Sequence, residues 1–400
     1  MPKEAVSHEP SSALNPSSSA RSIAAMIATA ATGKLARIRD ELAQLFVERG
    51  ELIDAALSAL LAGQHVLIIG PPGTAKSMLA DALCQRLAGA NYFQWLLTKF
   101  TTPEELFGAV SLQSLERDDY RRVTTHKLPE AHIAFLDEVF KANSSILNAI
   151  LTLMNERRFH NGREVTSVPL ITLFGASNEL PEEDELRALY DRFLVRFVVG
   201  YIEEDFRFLK MLQAHAPETS TVLSLDDLRD LQAAAHAVTI PAHIYRSLAD
   251  LRRQLGRKQI VASDRRYRQC LGLLQARAVL LGRREVAEDD LFVLDHVLWR
   301  EPTERNEVHA TIHELLRGYE DEVKVLLYQS RELRDYAYRQ WENNELRSRA
   351  VVEAHTKIRN ILAKVATILD EARTVGRPIE KVQAVKEEIE TIQQRMLEAL

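Results

Sequence analysis

The segment HVLIIGPPGTAKSMLADALCQRLAG, residues 65–89, constrains the fold of this chain more than any other. A β-branched apolar run, a glycine-bearing loop and a helical stretch follow one another without a spacer. That order is the context a phosphate-cradling loop requires. Backbone N–H groups of such a loop, and the positive end of the helix after it, converge on an anion. Gly70, Pro71, Pro72, Gly73, Thr74, Ala75, Lys76, Ser77 and Met78 are therefore the candidate nucleotide-binding set. Lys76 would bring a point charge to the β- and γ-phosphates of ATP, and the Ser77 hydroxyl would bind Mg²⁺. Ala75 stands where the pattern has its second glycine. A Cβ is tolerable there if φ is negative.

Two further runs, IAFLDE (133–138) and LITLFGAS (170–177), are short, apolar and bounded by charged or turn residues. With VLIIG they read as buried parallel strands of an α/β sheet. IAFLDE ends on Asp137 and Glu138. After a phosphate loop, such a pair reads as a Mg²⁺-holding carboxylate followed by one that polarises the attacking water. Alone, an acidic pair at this place would only cap the next helix. LITLFGAS delivers Asn178 at its tip, where an amide can hydrogen-bond both water and γ-phosphate. Without its companions, Asn178 would read equally well as a turn cap.

At 400 residues the chain has room for two or three domains. The N-terminal 33 residues, rich in Ser and Pro at first, read as a disordered tail running into a first helix. Residues 34–199 carry the α/β pattern, and over 200–300 the strands give way to helical periodicity, an all-α lid. Pro302 marks an exit into a charged helical region, 301–400. There Ile379, Val382, Val385, Ile389, Ile392, Met396 and Leu400 fall three or four apart, a coiled-coil seam. Gly376 and Pro378 precede that seam, so a helical hairpin with 351–369 is expected. Two cysteines without a pairing pattern, Cys84 and Cys270, point to a reducing compartment, the cytoplasm. No apolar run approaches the ~20 residues of a membrane span. A net charge of −6 supplies no general attraction for nucleic acid.

These motifs together resemble the MoxR group of AAA+ ATPases, and within it the RavA subgroup. The resemblance rests on GPPGTAKS, on TTPEELFG (101–108), on IAFLDEVFKANSSILNAILTLMNERRF (133–159), on GASNELPE (175–182) and on ALYDRFLVR (188–196). Alanine before the loop lysine is usual in that group. The resemblance implies an AAA+ core, an ATP-driven hexameric ring, and a protein substrate that is remodelled or activated. It also implies a partner carrying a von Willebrand factor A domain. By the same resemblance, Arg192 of YDRF matches the arginine finger that reaches the neighbouring subunit's nucleotide. Arg265 of SDRR matches the sensor-2 arginine of the lid, with Arg266 adjacent as the alternative. The Asn161–Gly162 turn and the stretch VSLQSLERDDYRRVTTHKLPE after Gly108 match two hairpins that project into the ring pore. Beyond Trp299 the chain departs from the RavA pattern, because its helical character is unbroken by a β-rich insertion.

Other patterns carry less. HELLR at His313 has no second histidine four residues on, so it is not a zinc helix, and the remaining histidines look scattered. The arginines between Arg246 and Arg268 alternate with Asp250 and Asp264, as on a solvated helix face. A nucleic-acid motor on the same core is the alternative function. Its basic pore hairpin is opposed here by Glu156, Glu164, Asp118 and Asp119. A nucleotide-binding scaffold without turnover would not need Glu138 and Asn178.

Overall fold

A computed structural model describes residues 18–181, 184–213, 220–316, 319–341, 343–374 and 379–398. The tail expected at the N-terminus lies outside the described residues up to position 17, and helix α1 runs from Ser18 to Leu45. The chain divides into two compact units, Met1–Val308 and His309–Leu400.

In the first unit α1 is followed by α2 (Gly50–Leu61), β1 (Val66–Ile69), α3 (Lys76–Gln85), β2 (Leu87–Ala88) and β3 (Tyr92–Leu96). Short helices α4 (Pro103–Phe107) and α5 (Leu112–Leu115) lead to β4 (Ile133–Asp137) and α6 (Ser144–Glu156). Next come the hairpin β5 (Arg158–Asn161) and β6 (Glu164–Ser167), then β7 (Thr172–Ser177), α7 (Asp184–Arg192) and β8 (Val195–Val198). Strands β3-β4-β7-β1-β8 form one sheet in that order, every pairing parallel. Both faces of a parallel sheet are covered, so its strands are apolar throughout. Val66, Leu67, Ile133, Ala134, Phe135, Leu136, Leu173 and Phe174 are all fully buried.

Then come α8 (Asp205–Gln213), β9 (Leu223–Ser224), α9 (Leu225–Ala237), α10 (Ala242–Arg257) and α11 (Asp264–Leu280). The described residues of 200–300 are helical for the most part, with short extended pieces between the helices. Strand β9 pairs in parallel with β2, next to where Thr221 donates to Glu41 of α1 and Lys34 of α1 meets Asp227 at 2.8 Å. Helix α12 (Arg305–Leu316) crosses the unit boundary.

The second unit contains α13 (Tyr319–Tyr338), α14 (Asn344–Thr374) and α15 (Glu380–Glu398). Val382, Ile389, Ile392 and Met396 of the expected seam are buried, while Leu400 lies outside the described residues. The partner of the seam is not α14 alone. Helix α13 packs on both others, so the expected pair of α14 and α15 is part of a three-helix bundle. Arg331 bonds Glu388 and the Tyr338 hydroxyl donates to the Arg395 carbonyl, so α13 and α15 run in the same direction. Buried Val323, Leu333 and Ala337 give α13 its own apolar face, which the heavy charge of 319–338 obscures in the sequence. The turn expected at Gly376–Pro378 is outside the described residues.

A buried histidine ties three elements together ahead of β1. His65 Nδ1 accepts from the Leu173 N–H at 3.0 Å, so Nε2 carries the proton and donates to the Met154 carbonyl at 3.3 Å. Burial, with Arg157 nearby, pushes its pKa from 6.5 down to about 3. An unfolded chain therefore gains a proton below 6.5 that the folded chain refuses until about 3. Stability should fall as pH drops through that window, by up to ~1.4 kcal/mol per pH unit. Urea unfolding at pH 7 and pH 4.5 checks this. A His65→Gln variant as acid-sensitive as the wild type would remove His65 as the cause.

The two elements expected in a ring pore are joined to each other. Asn161 Oδ1 accepts from the Arg122 N–H at 2.6 Å, and its Nδ2 donates to the Arg122 carbonyl at 3.1 Å. Gly162 (φ 65°) completes the turn with no room for a side chain, since a Cβ there would lie 2.2 Å from the Tyr120 carbonyl oxygen. Asn161→Ala should barely move the melting temperature but expose the Arg117–Arg122 loop to trypsin. Unchanged digestion kinetics would show that the loop is held by other contacts.

Candidate functional site

The carboxyl ends of β1, β4 and β7 lie side by side because their registers pair Ile69 with Ser177 and Leu136 with Gly175. The phosphate loop, the acidic pair and Asn178 therefore emerge on one edge of the sheet. Helix α3 begins at Lys76 with Ala75 as its N-cap. Ala75 has φ 62° and ψ 25°, in the left-handed region. The negative φ expected for it is not what the loop adopts. A left-handed residue with a Cβ costs roughly 1–2 kcal/mol, which the neighbouring contacts must offset. Those contacts are visible: the Thr74 hydroxyl donates to the Pro71 carbonyl at 2.9 Å, and Tyr201 donates to the Pro72 carbonyl at 3.3 Å. Gly70 is required by close approach, since a Cβ would lie 2.2 Å from the Val199 carbonyl oxygen.

Lys76 is 8% exposed and folds back over the loop. Its ammonium donates to the carbonyls of Gly70 at 2.6 Å and Pro71 at 2.9 Å, with Asn178 Oδ1 at 3.5 Å. Burial lowers its pKa, and the carboxylates of Asp137 and Glu138 oppose that shift. Glu138 also has a left-handed backbone, φ 51°, which turns its side chain back toward the strand ends. Its Oε1 accepts from Asn178 Nδ2 at 2.9 Å, and its Oε2 lies 3.2 Å from Lys141 Nζ. Asp137 Oδ1 accepts from the Glu138 N–H at 3.0 Å. Ser177 holds the Asn178 turn by donating to the Glu179 carbonyl at 2.7 Å.

These groups surround a cavity of about 810 Å³, a size that suits a nucleotide. Pro72, Gly73, Thr74, Ala75, Lys76, Ser77, Met78, Asp137, Glu138 and Asn178 line it. Gly70 and Pro71 stand behind it, supplying carbonyls to Lys76. The opposite wall is largely apolar: Phe46 and Val47 after α1, Tyr201 and Ile202 after β8, Phe208 and Met211 of α8. ATP fits this set, with an ammonium and a helix start at one end and an apolar wall at the other. Mg²⁺ fits it too, because the Ser77 hydroxyl and the Asp137 carboxylate are hard oxygen donors on one cavity.

Arg192 and Arg265 do not line this cavity. Arg192 ends α7, with its Nε buried and without a hydrogen-bond partner. Arg265 is exposed and donates to Asn155 Oδ1 at 3.2 Å. Arg266 is buried among backbone carbonyls. The lid arginine expected beside the nucleotide is thus neither residue within a single chain: Arg266 is consumed by carbonyls, and Arg265 faces Asn155.

Sequence reasoning missed Lys141, whose signal was its i+3 spacing from Glu138. It also missed the apolar wall, which has no local signal because three distant segments build it. His309 lies one turn before His313 on α12, with the two ring centroids 4.0 Å apart. Two imidazoles are half of a tetrahedral set and carry no assignment by themselves.

Residues 33–233 match the family model of the MoxR domain in MoxR-vWA-beta-propeller ternary systems, and 243–312 match the AAA lid domain. The chain belongs to the MoxR family of AAA+ ATPases. Uncharacterized protein MJ0079 of Methanocaldococcus jannaschii is 45% identical over 294 residues, 72% of this chain and 76% of that protein. Chaperone MoxR1 of Mycobacterium tuberculosis is 27% identical over 202 residues, 49% of this chain and 52% of that one. A crystal structure of a candidate ATPase from Cytophaga hutchinsonii superposes with a TM-score of 0.60 at 17% identity, over 74% of this chain and 98% of its own. That likeness carries the fold alone. Among the described residues, no helix is long and apolar enough to cross a membrane.

Proposed function

We propose that this MoxR-family chain hydrolyses ATP with Mg²⁺ and uses the turnover to remodel or activate a protein partner. The observation that carries the reading is the Glu138–Asn178 contact at 2.9 Å in the cavity that also holds Lys76 and Asp137. Binding alone needs Lys76 and the loop amides. A carboxylate aimed by an amide at the same cavity is what hydrolysis adds. When bound, the metal would polarise the phosphoryl oxygens, with Ser77 and Asp137 as its protein ligands. Glu138 would take the proton of the attacking water, and Asn178 would hold both in line.

Arg192 and Arg265 lie outside their own chain's cavity, so they meet a phosphate only where a second subunit presents one. A closed ring, hexameric by the family resemblance, meets that requirement for Arg192 as a finger and for Arg265 as sensor 2. The family model's own description supports a von Willebrand factor A domain protein as partner. The RavA likeness stays within the same proposal, on the shared motifs alone. A cytoplasmic location fits two free, buried thiols, whose pKa values burial raises to about 11 for Cys84 and about 12 for Cys270.

Protein is preferred to nucleic acid because three of the four arginines at the two hairpins are engaged, Arg158 alone being exposed. Arg121 pairs with Asp119 and Glu164, Arg122 with Glu104, and Arg157 donates to the carbonyls of Gly63 and Ile171. The test is phosphate release by the purified chain against Lys76→Ala. Equal rates in the two would defeat the ATPase reading. Failure of an ATP-loaded Glu138→Gln protein to retain a von Willebrand factor A domain protein from its own cell would defeat the partner assignment.

A further inference from the structure

The carbonyls that flank Arg192 are gathered by a buried arginine that the nucleotide chemistry does not use. Arg266, in the first turn of α11, is 3% exposed. Its Nη1 donates to the carbonyls of Leu194 at 2.7 Å and Val297 at 2.9 Å. Its Nη2 donates to the carbonyls of Phe193 at 3.0 Å and Asp191 at 3.2 Å, and to Asp191 Oδ1 at 3.3 Å. Four of these five contacts fall on Asp191, Phe193 and Leu194, so they bracket Arg192 on both sides.

A second arginine repeats the arrangement. Arg196, 1% exposed, donates to the carbonyls of Trp299 at 2.7 Å and Tyr190 at 3.3 Å, and its guanidinium lies 3.9 Å from the Tyr190 ring centroid. The Tyr190 hydroxyl donates in turn to the Arg300 carbonyl. On the other side, the Phe193 ring fills the space of an absent side chain at Gly175, where a Cβ would be 2.6 Å from its Cζ. Residues 190–194 are thus clasped between β7, which delivers Asn178, and the lid segment 297–300.

The plain alternative is that Arg266 only satisfies carbonyls left open where α7 ends. That alternative does not explain the choice of residue. A buried guanidinium is costly, and apolar residues of similar volume often do as well or better. What a planar fork adds is several bonds of set direction from one side chain. Here they run from the lid to the backbone on either side of the half-buried Arg192.

We propose that Arg266 is the positioning residue for Arg192, fixing lid helix α11 to residues 191–194 so that a lid movement displaces the finger. The inference rests on the reading of Arg192 as acting on a neighbouring subunit's nucleotide. It predicts that weakening the clasp mimics partial loss of the finger while leaving the chain's own nucleotide site intact.

The experiment compares full-length Arg192→Ala, Arg266→Lys and the double variant for kcat, KM for ATP and assembled mass. Arg266→Lys should lower kcat ~10²-fold, the scale of a displacement near 1 Å, with KM and mass little changed. The double variant should be no slower than Arg192→Ala, because a misplaced finger cannot matter once the finger is gone. Mixing Arg266→Lys with Lys76→Ala should restore turnover, since wild-type fingers then meet intact loops. If Arg266→Lys turns over like wild type while Arg192→Ala does not, the clasp is refuted and the finger survives. The clasp is equally refuted if the losses multiply in the double variant. If Arg192→Ala itself turns over normally, the finger reading has failed, and the clasp with it. Should Arg266→Lys not fold, Asp191→Asn replaces it: its carboxylate, 48% exposed, faces both Arg196 and Arg266. A smaller kcat loss of the same non-additive kind supports the clasp, and an unchanged kcat refutes it.

Discussion

Exchange of Glu138 for glutamine should leave ATP binding intact and slow turnover by ~10²–10⁴-fold, the range of a lost general base. The substitution is close to isosteric. Glutamine keeps an Oε1 that can accept from Asn178, now at 2.9 Å from the carboxylate, and gives up the 3.2 Å ion pair with Lys141. Shape and the Asn178 contact therefore persist while basicity disappears. Lys76, the loop amides and the apolar wall are untouched, so affinity for a fluorescent ATP analogue should stay near the wild-type value. Phosphate release measured beside it separates the two effects. Turnover within about threefold of wild type would leave no room for a general base at this position.

Arg192→Ala should abolish most turnover, by ~10³–10⁵-fold if it acts as an arginine finger, without weakening ATP binding. Arg192 does not line the cavity of its own chain, so the substitution leaves the loop, Lys76 and the apolar wall of that cavity in place. Lys76→Ala fails for the opposite reason, losing the phosphate-binding ammonium but keeping the arginine. Mixing the two inactive proteins should recover activity wherever an intact loop meets an intact arginine on the next subunit. The recovery should peak at intermediate ratios and vanish in either pure sample. Absence of recovery at every ratio, in assemblies shown to exchange subunits, would mean that Arg192 does not act across an interface.

Much of this site is legible in the sequence, and the reason is local. A strand, a glycine loop and a helix in immediate succession have few ways to fold, so GPPGTAKS could be placed without knowing its neighbours. Glu138 and Asn178, forty residues apart, could be brought together on paper because both terminate buried apolar runs. In a parallel sheet such ends share one edge. The choice between the two lid arginines lies beyond this logic. Their pattern, SDRR, offered two guanidiniums on successive positions of a helix, and burial sends adjacent helical residues in different directions. Arg266 went into the interior and Arg265 to the surface beside Asn155. The backbone at Ala75 lies beyond it too, since φ there is imposed by how the loop closes on Pro71, Pro72 and Val199.

What the sequence alone determined is the set of elements whose pattern is short-range: the phosphate loop, the acidic strand end, the Asn178 strand, the helical lid, and the apolar seam of α15. Each follows from periodicity or spacing within some twenty residues, the span over which a side chain's neighbours are known from the chain itself. Only the tertiary structure decided which distant segments share a surface. Phe46, Tyr201 and Met211 close the cavity from three places in the chain. Helix α13 joins α14 and α15 to make a bundle of what read as a pair. Arg266 reaches back more than seventy positions to Asp191 and Phe193. Such contacts depend on the summed burial of many weak apolar surfaces, a property of the whole core that no local pattern encodes.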